Sequence, residues 1–544
     1  MTVSVVGQPM PQVSAQEKVQ GRAVYAGDIK MAGMLHAKLL RSPHAHARIL
    51  SIDTSAAEAL PGVKAVVTGN DVPGRRWGVH HKQQNVLACG LVRFVGEEVA
   101  AVVATTEAVA QDALDLIRIE YEELPAVLDI DAALSEGAVP VHPEGNVVDE
   151  INIARGDVEA GFAAADIVHE EVYTTHSQYP GYMEPMATVA ATDGNGRLTV
   201  WTSTQSVFLA RQRLAEALDR PISSIRVIQA TVGGGFGAKI VEERSSVIAA
   251  FLATKVDRPV RLNLSRLDDI QSGCFSVPMR IRLKMGMTRD GTITAKDVTI
   301  EAECGAYAGL SPEVMLVTAM RSDNMQRLEN VRSRARMIHT HTMPRGAFRG
   351  FGGTQMSFAL NSHMSTMADM LGMDPFDLHR KNAIRTGDLS VHGWEIGSCG
   401  LPECLDQVST ALDWTARRAR NTRGGVLRRG VGMAGSCPAG AAERAENEDA
   451  GSGARRGLGS CSGCPEGPHV TRTTRVAPLA CGHEHLPRSQ GWSALAIRRL
   501  VPERVDRAAG PSSRRREGPR TRHGRLRRRP GRAPRLDGRP LAHR

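Results

Sequence analysis

The residue types best suited to chemistry are concentrated in Arg345-Gly-Ala-Phe-Arg-Gly-Phe-Gly-Gly353, where four glycines and two arginines share nine positions. Glycine lets backbone amides approach a ligand closely and permits positive φ. Arginine presents a planar fork of donors that keeps its charge. Together they suit a loop held against a large anionic ligand. A second loop, Gly233-Gly-Gly-Phe-Gly-Ala-Lys239, follows a strand-like run upstream. Two such loops point to one ligand gripped from two sides. Gly233, Gly235 and Ala238 also satisfy Gly-x-Gly-x-x-Ala, the dinucleotide fingerprint, but no acidic residue ends the following strand to hold a ribose.

Two histidine pairs, His44 with His46 and His339 with His341, have the i, i+2 spacing that puts both rings on one face of a strand. Neither pair has a third donor at zinc-ligand spacing, so packing is the expected role. Cys461-x-x-Cys464 with His469, Cys481, His483 and His485 has zinc-like spacing but no apolar pattern around which a module would fold.

The elements that must position these loops are read from periodicity. Leu35 to Leu40 is strand-like, and Glu98 to Ala104 is a continuous apolar run suited to a buried strand. Thr105 and Thr106 offer an N-cap for a helix to about Leu116, and Ile117 to Tyr121 alternates with period two. Further on, Leu198–Thr202, a helix from Val207 to Leu218, and Ile225 to Val232 lead into the glycine loop. A helix ending near Lys255 and a strand over Pro259 to Leu264 follow.

Composition changes near Gly435. From Ser436 onward there are 23 arginines and no lysine against 10 acidic residues, whereas the first 435 residues hold 45 basic and 48 acidic. The overall +10 therefore belongs to the tail. With no Phe, Tyr or Met it lacks the apolar surface to offset ordering entropy. Arginine without lysine is what GC-rich DNA yields out of frame. The tail, 436–544, is expected to be disordered or out of frame. The body has five scattered cysteines, no iron–sulfur spacing, no spanning apolar run and no leader. Reduced thiols and a cytoplasmic location follow as expectations.

Several segments resemble the large molybdenum-binding subunit of the xanthine dehydrogenase and aldehyde oxidase family: Arg41-Ser-Pro-His-Ala-His-Ala47, Phe94 to Val103, Met183-Glu-Pro185, Ser203-Thr-Gln205, the two glycine loops, and Gly400-Leu-Pro-Glu-Cys-Leu405. The resemblance implies an α+β protein. An α/β hammerhead-like domain (15–130) precedes the first molybdopterin-binding domain (150–435), half of a cofactor cradle. It implies molybdenum–molybdopterin, in the cytosine dinucleotide form, held by Gln205, Gly234, Gly235, Phe236, Gly237 and Arg349. Gln205, Phe236 and Arg349 would surround the metal without ligating it, and Phe351 would stack on substrate. The family's base, a glutamate, lies beyond the matching region, so no catalytic residue is assigned, and a truncated or frame-shifted, inactive subunit is expected. Iron–sulfur and FAD cofactors would sit on partner subunits.

The implied reaction is oxidative hydroxylation with water as oxygen source. Ile240 and Val317 stand where purine-oxidising members carry a glutamate and an arginine, which favours an aromatic N-heterocycle or aldehyde as substrate. The arginine loop also lacks the cysteine of carbon monoxide dehydrogenases. The alternative is a non-enzymatic nucleic-acid binder using runs such as Arg514-Arg-Arg516, although no aromatic residues are interleaved for base stacking.

Overall fold

The computed structural model describes residues 7–72, 76–240, 244–323, 325–391, 393, 395–420, 429–436 and 470–472. All of these belong to one unit, Met1–Gly491; Trp492–Arg544 form a second unit outside the described residues.

A seven-stranded mixed sheet carries the glycine loop. Its spatial order is β11 (Ile225–Gln229), β10 (Leu198–Thr202), β9 (Ala187–Thr192), β12 (Val260–Asn263), β1 (Leu35–Arg41), β5 (Glu98–Ala104) and β3 (Val63–Thr68). β10 and β11 run parallel, as do β1 and β12, and every other neighbouring pair is antiparallel. The apolar run of β5 is buried along its whole length, as a central strand covered on both faces requires. On one face, Ala101 and Val103 join a core with Val200, Leu214, Val247 and Leu252. On the other, Ala100 and Val102 pack with Ala110 and Ala113 of the helix Glu107–Leu114, which Thr106 caps at Val109 N, as expected.

A six-stranded sheet carries the arginine loop. Its order is β18 (Val470–Arg472), β7 (Val147–Arg155), β16 (Val331–His339), β15 (Ile293–Gly305), β14 (Met279–Met287) and β8 (Ile167–Thr175). Only β15 and β16 are parallel, and they are joined through the helix Ser311–Met320. The helix Gly353–Leu371 packs over β14 and β8. Smaller sheets pair β4 (Leu91–Val92) and β6 (Arg118–Glu123) with β2 (Ala47–Asp53), and β13 (Phe275–Ser276) with β17 (Arg345–Gly346). Among the described residues, no helix is long and apolar enough to cross a membrane.

Within residues 15–130, β2, β4 and β6 form a small sheet, while β1, β3 and β5 continue the sheet of β9–β12. The glycine loop is not a dinucleotide turn. The strands on either side of it, β11 and β12, are separated by β10 and β9, and β9 is antiparallel to both its neighbours. β11 and β12 are therefore not the adjacent parallel pair that a dinucleotide-binding turn between them requires. Of residues 437–544, Val470–Arg472 are described, as a strand paired with β7; the zinc-like Cys/His spacing lies outside the described residues.

A buried ion network joins the N-terminal strands to the rest of the unit. Arg41 meets Glu98 at 2.8 Å and Asp268 at 3.0 Å, and Arg244 approaches Glu98 at 3.5 Å. Burial alone would raise the Glu98 carboxyl, but the Arg244 and Arg41 guanidiniums outweigh it and hold the group below its usual range. A carboxylate with a depressed folded-state pKa stabilises the fold above its unfolded pKa, and that contribution is lost as pH falls through the folded pKa. Glu98→Ala should therefore destabilise the chain by ~3–5 kcal/mol at neutral pH. The deficit relative to wild type should shrink once pH drops below the ordinary glutamate range. Denaturant unfolding at pH 7 and pH 3.5 checks this, and a deficit that is absent at pH 7, or unchanged at pH 3.5, would contradict it.

Candidate functional site

The site forms where the ends of two parallel strands meet a loop from the other sheet. Gln205 lies just past β10, and the glycine loop follows β11. Gln205 N donates to Lys239 O at 2.7 Å, while Gln205 Oε1 accepts from Gly237 N at 2.9 Å and Lys239 N at 3.3 Å. Two backbone donors on one side-chain atom identify that atom as the oxygen. The amide Nε2 therefore points away from the loop, with no partner among the described residues.

The two loops are joined directly, because Arg349 N donates to Phe236 O at 2.8 Å. Close approach explains the glycines. A Cβ at Gly235 would collide with the Gln205 carboxamide oxygen, and one at Gly237 would lie 2.9 Å from Ala347 O. Gly352, at φ 75°, is pressed against the helix Ser311–Met320, where a Cβ would come within 2.5 Å of Val314 O and 2.9 Å of Val317 Cβ. Phe236 is the outlier. It holds φ 53° without being glycine and remains 43% exposed. Such a conformation costs ~1–3 kcal/mol and persists only where surrounding contacts enforce it.

A clamp that the sequence did not announce holds the base of the loop. Glu184 Oε2 accepts from Gly233 N at 2.7 Å and from Lys239 Nζ at 3.0 Å, and Nζ also reaches Glu184 O at 2.7 Å. One carboxylate thus ties the first residue of the glycine loop to the last. Lys239 is fully buried, and burial pulls its pKa down despite the Glu184 charge. Met183-Glu-Pro185 stands out only as part of a resemblance, since a pairing across 55 positions leaves no local signal. Below the clamp, buried Asp269 accepts from Tyr182 at 3.0 Å and from Tyr179. A cleft of about 720 Å³ opens beside Phe236, Glu184 and Gly233.

The structure brings Gln205, Gly234, Gly235, Phe236, Gly237 and Arg349 into one site. Arg349 is exposed, and no ion pair involves it among the described residues. Phe351 is half-buried and packs against the core of the six-stranded sheet, so only part of its ring is available to a ligand. Ile240 caps the glycine loop, with its N–H on Gly237 O at 3.2 Å. The histidine pairs are drawn into packing and backbone hydrogen bonds. His46 stacks on His341 at 4.1 Å and bonds Pro125 O through Nδ1 at 2.6 Å, and neither pair belongs to a three-donor cluster among the described residues.

Gln205 and Arg349 are both exposed, so the free amide donor and the cation are available to a ligand, and the positive φ of Phe236 is the feature that is costly for the chain to hold alone. Together the three fit a large anionic ligand carrying acceptor oxygens. Comparison with known proteins is consistent with that fit. Residues 20–125 match the aldehyde oxidase and xanthine dehydrogenase a/b hammerhead domain, and residues 141–383 match the molybdopterin cofactor-binding domain. The chain is 39% identical to a probable xanthine dehydrogenase subunit of Bacillus subtilis over 77% of its own length and 56% of that protein's. It is 37% identical to the nicotinate dehydrogenase large molybdopterin subunit of Eubacterium barkeri over 74% of its own length and 95% of that subunit's. The crystal structure of quinoline 2-oxidoreductase from Pseudomonas putida 86 superposes with a TM-score of 0.72 at 31% identity, over 76% of this chain and 55% of that one. The chain thus spans little more than half the length of the first of these relatives and nearly all of the second.

Because the Gln205 carboxamide fills the space a Cβ would need, Gly235→Ala should cost ~1–3 kcal/mol through overpacking. In a Gln205→Ala background most of that cost should vanish. A double-mutant cycle by chemical denaturation reads the coupling, and equal costs in both backgrounds would show that the two residues do not touch.

Proposed function

The chain belongs to the molybdopterin-binding subunits of the xanthine dehydrogenase and aldehyde oxidase family, and from that premise we propose that it forms one wall of a molybdenum hydroxylase active site. The reaction is oxidative hydroxylation of an aromatic N-heterocycle or an aldehyde, with water as the oxygen source. The observation that carries this reading is the convergence of Gln205 Nε2 with the joined Phe236 and Arg349 loops. When bound, molybdenum–molybdopterin, here in its cytosine dinucleotide form, supplies Lewis acidity and a two-electron acceptor.

The chain's own residues supply orientation. Gln205, with its carboxamide oxygen fixed by Gly237 and Lys239, presents Nε2 to an acceptor oxygen of the cofactor without having to reorganise. The backbone of Gly234 to Gly237 would lie against the metal centre, and the glycines would leave room for it. Arg349, exposed beside Phe236, places a permanent positive charge at the same locus. Phe351 offers the free part of its ring for stacking on a flat substrate. The general base is not assigned to any residue here. Iron–sulfur and FAD cofactors on partner subunits of a cytoplasmic hetero-oligomer would accept the electrons.

Two substrate positions are apolar. Ile240 adjoins the glycine loop, and Val317 lies on the helix beneath Gly352. A site that hydrogen-bonds its substrate's polar atoms can reject an analogue lacking them by ~10⁴ or more, whereas an apolar wall confers no such preference for a purine. The relatives named for nicotinate and quinoline point to simpler N-heterocycles, and the one named for xanthine makes a purine the competitor to measure against them.

In the holoenzyme assembled with its partner subunits, Arg349→Ala should lower molybdenum per chain at least several-fold. The unfolding midpoint should stay within ~0.5 kcal/mol of wild type, as for an exposed residue. Metal analysis with chemical denaturation tests this, and full molybdenum content would show that Arg349 does not serve the cofactor. Steady-state kinetics of the same holoenzyme should give a lower kcat/KM for xanthine than for pyridine-type heterocycles or aromatic aldehydes. The reverse order would place purine recognition in residues other than 240 and 317.

A further inference from the structure

We propose that His169, Glu171 and His363 form a binding site for one divalent ion of the zinc class, tying the edge strand β8 to the helix Gly353–Leu371. His169, Glu171 and Tyr173 alternate along β8 and so share one face of it. That face meets the helix, from which His363 reaches down, fully buried. The donor atoms of the three residues lie within 4.8 Å of one another, the one such group among the described residues. A tetrahedral ion with ~2.0–2.2 Å bonds needs its ligand atoms ~3.4 Å apart. His169 and Glu171 are partly exposed and able to close that difference by side-chain rotation.

The decisive feature is the hydrogen-bond direction at Tyr173. Its hydroxyl has one proton and donates it to Glu171 Oε2 at 2.9 Å. Toward His363 Nδ1, 3.1 Å away, the same hydroxyl must therefore accept. Nδ1 then carries the ring proton, and Nε2 is left with a lone pair. That Nε2 is buried and has no hydrogen-bond partner among the described residues, a situation that costs ~1–3 kcal/mol if nothing meets it. A histidine whose one nitrogen is held as a donor while the other offers a lone pair is the arrangement found around protein-bound zinc.

Two imidazoles and one carboxylate, with a fourth position open to water, suit zinc. The site is separate from the glycine loops, since His363 lies ~15 Å along the helix from Gly353 at 1.5 Å per residue. Its role is mechanical. The helix begins at the arginine loop, and an ion bridging its middle to β8 fixes the element from which that loop is hung.

The test uses the full-length chain carrying Cys461→Ser and Cys464→Ser, so that the tail's thiol pair does not contribute. Titration with Co²⁺, followed by competition with Zn²⁺, should show one equivalent per chain. The visible spectrum should be that of a nitrogen and oxygen site without thiolate charge-transfer bands, and saturating Zn²⁺ should raise the thermal midpoint. His169→Ala and Glu171→Gln, both at partly exposed positions, should each weaken binding more than tenfold. Tyr173→Phe, which releases the ring orientation, should weaken it by ~10-fold or more. Failure to bind Co²⁺ or Zn²⁺ at micromolar concentration would overturn the proposal. So would binding that changes less than threefold in both His169→Ala and Glu171→Gln.

Discussion

The hydrogen bond from Arg349 N to Phe236 O is the joint on which the candidate site depends. It connects a loop from the seven-stranded sheet to a loop from the six-stranded sheet, so the site exists only when both sheets are complete. Everything close to it is shaped by the lack of room. Gly235 has no side chain because the Gln205 carboxamide occupies that space, and Gly237 has none because the arginine loop crosses there. Phe236 accepts an unfavourable backbone conformation between them. Removing any of these constraints would loosen the direction in which Gln205 presents its amide, and that direction is the chemically useful product of the arrangement.

The buried charges around the joint support it from below. Lys239 and Glu184 tie the two ends of the glycine loop together inside the protein, where an unpaired lysine would otherwise be expensive to bury. Arg41, Glu98 and Arg244 do the equivalent for the N-terminal strands. Both networks reach across long sequence separations. The consequence is that residues matched by two distinct family domains behave mechanically as one body around a shared sheet.

Local structure was readable where it obeys local rules. The all-apolar β5, the threonine cap at Thr106, and the helix Val207–Leu218 follow from periodicity and capping alone. The two glycine loops were readable because glycine marks positions where backbone must come close to something. What they come close to was not readable. Nothing local in the sequence says that Gly235 faces Gln205, that Glu184 spans the glycine loop, or that β1, β3 and β5 share a sheet with four strands from residue 187 onward. Strand order is decided by which buried faces fit together, and the glycine spacing that imitates a dinucleotide turn sits between β11 and β12, which β10 and β9 hold apart. The helix-borne His363 and strand-borne His169 are similarly invisible as a pair, because nearly 200 residues of chain lie between them. Phe351, which the resemblance marks for substrate, also packs against the core, a contact that its local sequence does not announce.

The central claim is that both glycine loops close on one cofactor. Hydrogen–deuterium exchange with mass spectrometry, comparing cofactor-free and molybdopterin-loaded protein, tests it most directly. The account predicts that amides in 233–239 and in 346–353 slow together on loading, with little change in the N-terminal strands. Slowing confined to one loop, or protection appearing elsewhere while both loops exchange as before, would contradict it.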